Sequence, residues 1–326
     1  MTAPLLEVSH LRVEFPTRRG TLLALDDISF AIAPGEILGV VGESGAGKSL
    51  TGAAIIGLLD PPGRIAAGEI KLAGRRIDNL PYEQMRRVRG REIGAVFQDP
   101  LTSLNPLYTV GHQLVETITT HLDLTAAQAR KRAIELLAST GIPAPEARID
   151  HFPHQFSGGM RQRVVIALAL AGEPKLIVAD EPTTALDVSI QAQIIALLRK
   201  VCKDQGAAVM LVTHDMGVIA ETCDRVAVMY AGRIVEIGPV ADVIHRPAHP
   251  YTVGLMGSIP AMDEDRERLL QIDGSMPRLT AIPPGCAFNP RCGRVVERCR
   301  VERPDLASVG ATSAACWRPV TVEVVR

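Results

Sequence analysis

The stretch that most limits what this chain can fold into is Gly42 to Ser49, GESGAGKS. It fits G-x-x-x-x-G-K-[ST], and its flanks suit the pattern: Ile37 to Val41 reads as a buried strand, Leu50 to Leu59 as a helix. Gly42, Gly45 and Gly47 let the backbone wrap closely around a phosphate. N–H groups at the start of the next helix then face the anion, Lys48 neutralises its outer oxygens, and the Ser49 hydroxyl is available to Mg²⁺. Glu43, Ser44, Ala46 and Leu50 complete the expected phosphate-binding stretch. By itself a glycine loop of this length also fits an ordinary tight turn, and the motifs further along decide between the two.

At 326 residues the chain has room for one large core and one smaller appendage, since a domain commonly takes about 100–200 residues. Its 35 basic and 36 acidic residues leave a net charge of −1, which gives no global reason to expect nucleic acid or an anionic lipid surface as partner. The opening MTAPLLEVSHLRVEF lacks the basic and apolar regions of a secretory signal, and no apolar run approaches the roughly 18 residues of a spanning helix. A soluble, cytoplasmic chain is expected. Aromatics are only 3%, so the core must be mostly aliphatic, as in an α/β protein with buried Val, Ile and Leu strands.

Residues 5 to 35 alternate LLEVSHLRVEF and LLALDDISFAI around the polar turn PTRRG, which predicts an antiparallel sheet. Phe15 is either a core plug or a platform for an adenine ring. GEIKLAG (68–74) and REIGAVF (91–97) read as strands, the second running into Gln98, a residue able to reach a site at the sheet edge or simply a polar loop residue. From about 108 to 172 the pattern becomes helical, with a third helix opening at Ser157-Gly158-Gly159. Ser157 alone is explained as an N-cap. The paired glycines weaken a helix and suggest that something approaches the backbone.

LIVADEP, 176 to 182, ends a buried strand in two carboxylates and a proline. Beside a phosphate loop, Asp180 is placed for Mg²⁺ and Glu181 for orienting or deprotonating an attacking water. A short loop, Thr184-Ala185-Leu186-Asp187, leads to a helix starting near Val188, and AAVMLVTH gives another strand ending at His214, a candidate γ-phosphate contact. DRVAVMYAGRIVEIG reads as a hairpin turning at Ala231-Gly232 that closes a first domain near residue 240.

Together these residues resemble an ATP-binding-cassette ATPase over residues 5 to about 240. The set is GESGAGKS, Gln98, SGGMRQ, LIVADE, Ala185-Leu186-Asp187 and His214, in the family's order. The expected fold is α/β, with an antiparallel β subdomain, a helical subdomain at about 100–172 and a cysteine-containing extension at 241–326. The resemblance implies ATP held by residues 42 to 50 with Phe15 on the adenine, and Mg²⁺ on Ser49, Gln98 and Asp180. It implies catalysis by Lys48, Gln98, Glu181 and His214, completed by Ser157, Gly158 and Gly159 of a second cassette. That second cassette is an identical chain or a paralogue. Ser49 and Ser157 are too close in sequence for the long coiled coil of chromosome-maintenance relatives. A transporter subunit is therefore favoured over a soluble cassette ATPase acting on nucleic acid or ribosomes.

HRPAHPYTVG (245–254), GSIPAM and PPGCAFNPRC resemble the C-terminal segment of oligopeptide and dipeptide importer ATPases, as do VVGESGAGKS, FQDPLTSLNP, FSGGMRQRV and THDMGVIA. The methionine after the paired glycines favours the D-type subunit. Nickel importers share this architecture. The resemblance implies a peripheral protein on the cytoplasmic face of the cell membrane, two permease partners and an extracytoplasmic solute-binding protein. His249 is read as an ordinary loop residue. Of the six cysteines, Cys202 and Cys223 read as buried bystanders. Cys286, Cys292, Cys299 and Cys316 are spaced C-x5-C-x6-C-x16-C. Four thiols without a neighbouring His suit a [4Fe–4S] cluster, its charge offset by Arg291, Arg294, Arg298 and Arg300, with zinc or unliganded thiols as the alternatives.

Overall fold

The computed structural model describes residues 3–18, 20–184, 187–258 and 271–320. They form two compact units, one built from Glu7–Ala31, Leu38–Ile70 and the chain from Thr213 on, the other from the few residues before Glu7, Ile32–Ile37 and Lys71–Val212. Residues 185, 186 and 259–262, and the side chains of Val201 and Cys202, on which parts of the sequence reading fall, lie outside the described residues.

The first unit carries the phosphate loop. Strands β1 (Leu6–Thr17), β2 (Gly20–Ile32) and β4 (Arg64–Leu72) lie side by side in the order β2-β1-β4. In β1 the buried positions are Leu6 and Val8, then Leu11 and Val13, so the inward face changes from even to odd numbers. His10 causes the change: its φ of 49° is left-handed and inserts one residue into the alternation. The fully buried β3 (Ile37–Val41) runs parallel to β9 (Arg225–Tyr230), with Val41 opposite Val228. The sequence of β3 is continuously apolar because a strand covered on both faces has no solvent side.

A tight turn at Ala231 and Gly232, both left-handed, joins β9 to β10 (Arg233–Pro239). The tail adds two strands that the pattern does not announce. β12 (Thr312–Ala314) pairs antiparallel with β10, and β11 (Ala307–Val309) with β12. The helices of this unit are α1 (Lys48–Ile55), α9 (Met216–Thr222), α10 (Val240–His245), α11 (Pro250–Gly257) and α12 (Glu297–Val301).

In the second unit, β6 (Ile93–Val96), β7 (Leu176–Asp180) and β8 (Ala208–Val212) form a parallel sheet with Ala95 opposite Val178 and Val178 opposite Met210. β5 (Arg75–Arg76) pairs with the end of β4. The three helices expected between 108 and 172 are α4 (Val110–His121), α5 (Ala126–Ser139) and α7 (Gly158–Leu170). The short α2 (Tyr82–Val88), α3 (Pro100–Ser103) and α6 (Pro145–Arg148) accompany them. Thr125 and Gln128 make a reciprocal capping box at the start of α5, and Thr109 caps α4. α8 (Val188–Gln205) buries Ile194, Ile195, Leu197 and Leu198 as one stripe. Among the described residues no helix is long and apolar enough to cross a membrane.

Candidate nucleotide site

The phosphate loop bends sharply because its glycines adopt angles that side chains resist. Gly42, Gly45 and Gly47 have φ of 152°, 81° and 104°. A methyl on Gly42 would meet the Met229 carbonyl oxygen at 2.2 Å, and one on Gly47 the Leu25 Cδ2 at 2.6 Å. The loop ends at α1, where the Thr51 N–H and hydroxyl both donate to the Gly47 carbonyl at 2.9 Å. Lys48 is buried, and its ammonium donates to the carbonyls of Gly42 at 2.8 Å and Glu43 at 3.1 Å. Ala46 is buried and accepts from the Gly232 N–H, whereas Ser44, Gly45 and Ser49 face solvent and Leu50 is half-buried. These exposures leave the outer rim of the loop open to a ligand.

Phe15, near the end of β1, is half-buried and its ring edge lies against Gly63, 2.7 Å from where a Cβ would be. His214 is exposed between two fixed points. The Thr213 N–H donates to the Val40 carbonyl, and Asp215 caps α9 by accepting from the N–H groups of Gly217 and Val218.

In the other unit, Asp180 ends β7 and Glu181 follows in the left-handed conformation, φ 45°. A non-glycine residue held there is strained, a condition that clusters at functional sites. The Glu181 carboxylate accepts from the Gln98 amide at 3.1 Å and from the Thr184 hydroxyl at 2.8 Å, both on Oε2. Gln98 and Glu181, read separately in the sequence, are therefore direct partners. In the sequence Thr184 reads only as the start of a short loop; a hydroxyl three residues after a glutamate carries no distinctive pattern.

Ser157 is the N-cap of α7 and accepts from the Met160 N–H at 3.3 Å. A methyl on Gly159 would come within 2.8 Å of Ile190 Cγ2. The missing side chain thus has a reason inside this chain, the close approach of α8, besides the approach of an external group inferred from the sequence. Gly158 is the first residue of the same helix.

Cys286, Cys292, Cys299 and Cys316 are free thiols that line one small cavity with His249, Arg294, Trp317 and Arg318. Burial pushes the Cys286 thiol up to about 11 and raises Cys292 and Cys316 as well, with smaller upward effects from the neighbouring thiols. Among the described residues no three His, Cys, Asp or Glu side chains are arranged to hold a metal ion. The expected [4Fe–4S] ligand set is therefore present as a shared cavity and not as a metal centre. The arginine assignment also changes. Arg291 binds Glu43 of the phosphate loop; Arg298 pairs with Glu302 and lies over the Trp317 ring. Of the four arginines expected around the thiols, Arg294 lines the cavity. Cys223 is buried, as read.

His249 is no ordinary loop residue. It is 1% exposed and its ring caps α11 by accepting from the Tyr251 N–H at 3.0 Å, while its backbone N–H donates to Glu236. Burial drives the imidazole down to about 3, so it is neutral.

The sequence matches the ABC transporter family over residues 25–184 and the family described as oligopeptide/dipeptide transporter, C-terminal region, over residues 235–299. It is 46% identical to the oligopeptide transport ATP-binding protein OppD of Salmonella typhimurium, covering 97% of this chain and 94% of that one. It is 46% identical to the dipeptide transport ATP-binding protein DppD of Haemophilus influenzae, covering 97% and 96%. Among solved structures it resembles the dimeric ATP-binding cassette MJ0796, in a post-hydrolysis state bound to ADP and Pi. That match has a TM-score of 0.65 and 29% identity, over 72% of this chain and 98% of that one. The phosphate loop, the strained glutamate and the capped glycine-rich helix thus occur in a chain that belongs to the ABC transporter ATPases, within the group of oligopeptide and dipeptide transport ATP-binding proteins.

Proposed function

We propose that this chain is the ATP-hydrolysing, energy-coupling subunit of an importer for oligopeptides or dipeptides. It sits on the cytoplasmic face of the cell membrane against two permease subunits, which receive solute from an extracytoplasmic binding protein. The observation that carries the cargo reading is the match of residues 235–299, outside the ATPase core, to the transporter C-terminal region. The Gln98 loop and the helices around it are the contact to the permeases; Leu101, Leu107 and Tyr108 are large exposed apolar side chains there.

The chemistry is positioning and charge neutralisation of a γ-phosphoryl group. The loop from Gly42 to Leu50 wraps the phosphates and Lys48 moves its ammonium from the loop carbonyls to their oxygens. Ser49, Gln98 and Asp180 offer the hard oxygen donors that suit Mg²⁺, which spreads the phosphate charge when bound. Glu181, steadied by Gln98 and Thr184, orients the attacking water and takes its proton. His214 donates to the γ-phosphate, and Phe15 covers the adenine. Ser157, Gly158 and Gly159 serve the nucleotide of a second cassette, in keeping with the dimeric, nucleotide-bound state of the structural relative. ATP then closes the pair, and hydrolysis reopens it.

In this reading the four C-terminal thiols would take a [4Fe–4S] cluster by closing in from the cavity they line beside Arg294 and Arg318, since as they stand no three of them are arranged to hold a metal ion.

The functional test is reconstitution with a pair of oligopeptide or dipeptide permease subunits. ATP-dependent uptake of a labelled dipeptide, abolished by omitting this chain, is expected. Hydrolysis stimulated by nucleic acid, with no association to permeases, would overturn the assignment.

A further inference from the structure

We propose that Arg291 is a positioning residue of the nucleotide site, holding the phosphate loop from the C-terminal region through Glu43. This deepens the reading above and rests on ATP being bound at that loop.

Nearly every donor of the Arg291 guanidinium is committed. Nη1 donates to both oxygens of Glu43, at 2.9 and 3.1 Å. Nε donates to the Asp273 carbonyl at 2.7 Å, and Nη2 to the carbonyls of Ile272 at 3.2 Å and Gly274 at 3.4 Å. The guanidinium carbon lies 5.8 Å from the Tyr230 ring centre and 5.9 Å from that of Phe288, and the side chain is 7% exposed. Glu43 is also gripped by its backbone: its N–H donates to the Tyr251 hydroxyl at 2.9 Å. Met276 approaches Gly45, its Cε 3.0 Å from where a Cβ would stand.

Two consequences bear on the reaction. A carboxylate inside a loop that wraps a triphosphate repels the ligand, and Arg291 cancels that charge at contact distance. The Glu43 carbonyl also holds the Lys48 ammonium. Fixing Glu43 therefore fixes the resting position of the lysine that must meet the phosphates. Neither Tyr251 nor Arg291 belongs to a nucleotide motif.

The test uses the full chain with Mg²⁺ and a fluorescent ATP analogue, and compares wild type, Arg291→Gln, Arg291→Lys, Glu43→Gln and the double variant Glu43→Gln/Arg291→Gln. Arg291→Gln is expected to raise both Kd and KM about tenfold while kcat stays within about twofold. Arg291→Lys should recover part of the loss, since it returns the charge without the fork. The double variant should bind more tightly than Arg291→Gln alone, because the repelling carboxylate is gone. Unchanged binding by Arg291→Gln overturns the proposal. So does a loss that Glu43→Gln does not relieve, which would confine Arg291 to the stability of the tail. Failure of the wild type to bind would instead overturn the nucleotide reading itself.

Discussion

The Gln98 amide and the Glu181 carboxylate meet at 3.1 Å, on the same oxygen that takes the Thr184 hydroxyl at 2.8 Å. Two donors on one oxygen hold the carboxylate in a fixed orientation. The left-handed backbone at Glu181, φ 45°, sets the direction in which the carboxylate leaves the strand.

Replacing Glu181 with Gln keeps the shape and removes the proposed base. The variant is expected to bind ATP as the wild type does, with hydrolysis reduced about 10²- to 10⁴-fold, the range of a general base. Phosphate release under saturating ATP measures it, and near-normal turnover would move the base elsewhere.

Gly42→Ala forces a methyl to 2.2 Å from the Met229 carbonyl oxygen at a φ that disfavours any side chain. It should destabilise the chain by about 2–4 kcal/mol. Gly20→Ala is the comparison: its φ of 122° is also left-handed, yet among the described residues no atom beyond its chain neighbours lies within 4 Å of the added carbon. It carries only the backbone strain, about 1 kcal/mol. Urea midpoints that rank the two in the opposite order would refute the steric account.

His249 makes stability depend on pH. Its folded value of about 3 lies below the ordinary imidazole value of 6.5. Between those values the unfolded chain takes up a proton that the folded chain does not, so stability falls as pH falls, by up to about 1.4 kcal/mol per unit. Glu236, whose carboxyl is pushed up by burial, acts oppositely and favours the folded state more as pH drops. His249→Asn retains an acceptor for the Tyr251 N–H and removes the titrating ring. Its urea midpoint should vary less than the wild type's between pH 7 and 5; an equal slope would show that other groups dominate.

Protein purified without oxygen should be brown and contain about four iron and four sulfide per chain, and Cys286→Ser should lose both. Zinc in their place would reassign the cavity. In iron-free protein the raised thiol values predict slow alkylation at neutral pH, because the thiolate is the reactive form.

Much of the local geometry at the candidate nucleotide site was legible because its parts are short and chemically particular. A glycine loop needs left-handed angles, and Gly42, Gly45 and Gly47 have them. LIVAD forms a buried strand ending at the carboxylates. The Ala231-Gly232 turn and the Ser157 cap follow from local backbone chemistry. His10 was harder to foresee, since a non-glycine left-handed residue in the middle of a strand leaves no local mark.

The sequence by itself determined the order of elements, the phosphate loop and the acids at the strand end, because each depends on neighbours within a few residues. Only the tertiary structure decided what long-range contacts require. Arg291 looked like a counter-charge for thiols beside it in sequence, yet its Nη1 donates to Glu43, 248 residues away. His249 looked like loop and is buried as a cap. Gly159 looked vacant for an external ligand alone and lies close to Ile190. In each case the partner is set by packing, and packing of distant segments has no signature in a linear pattern of residues.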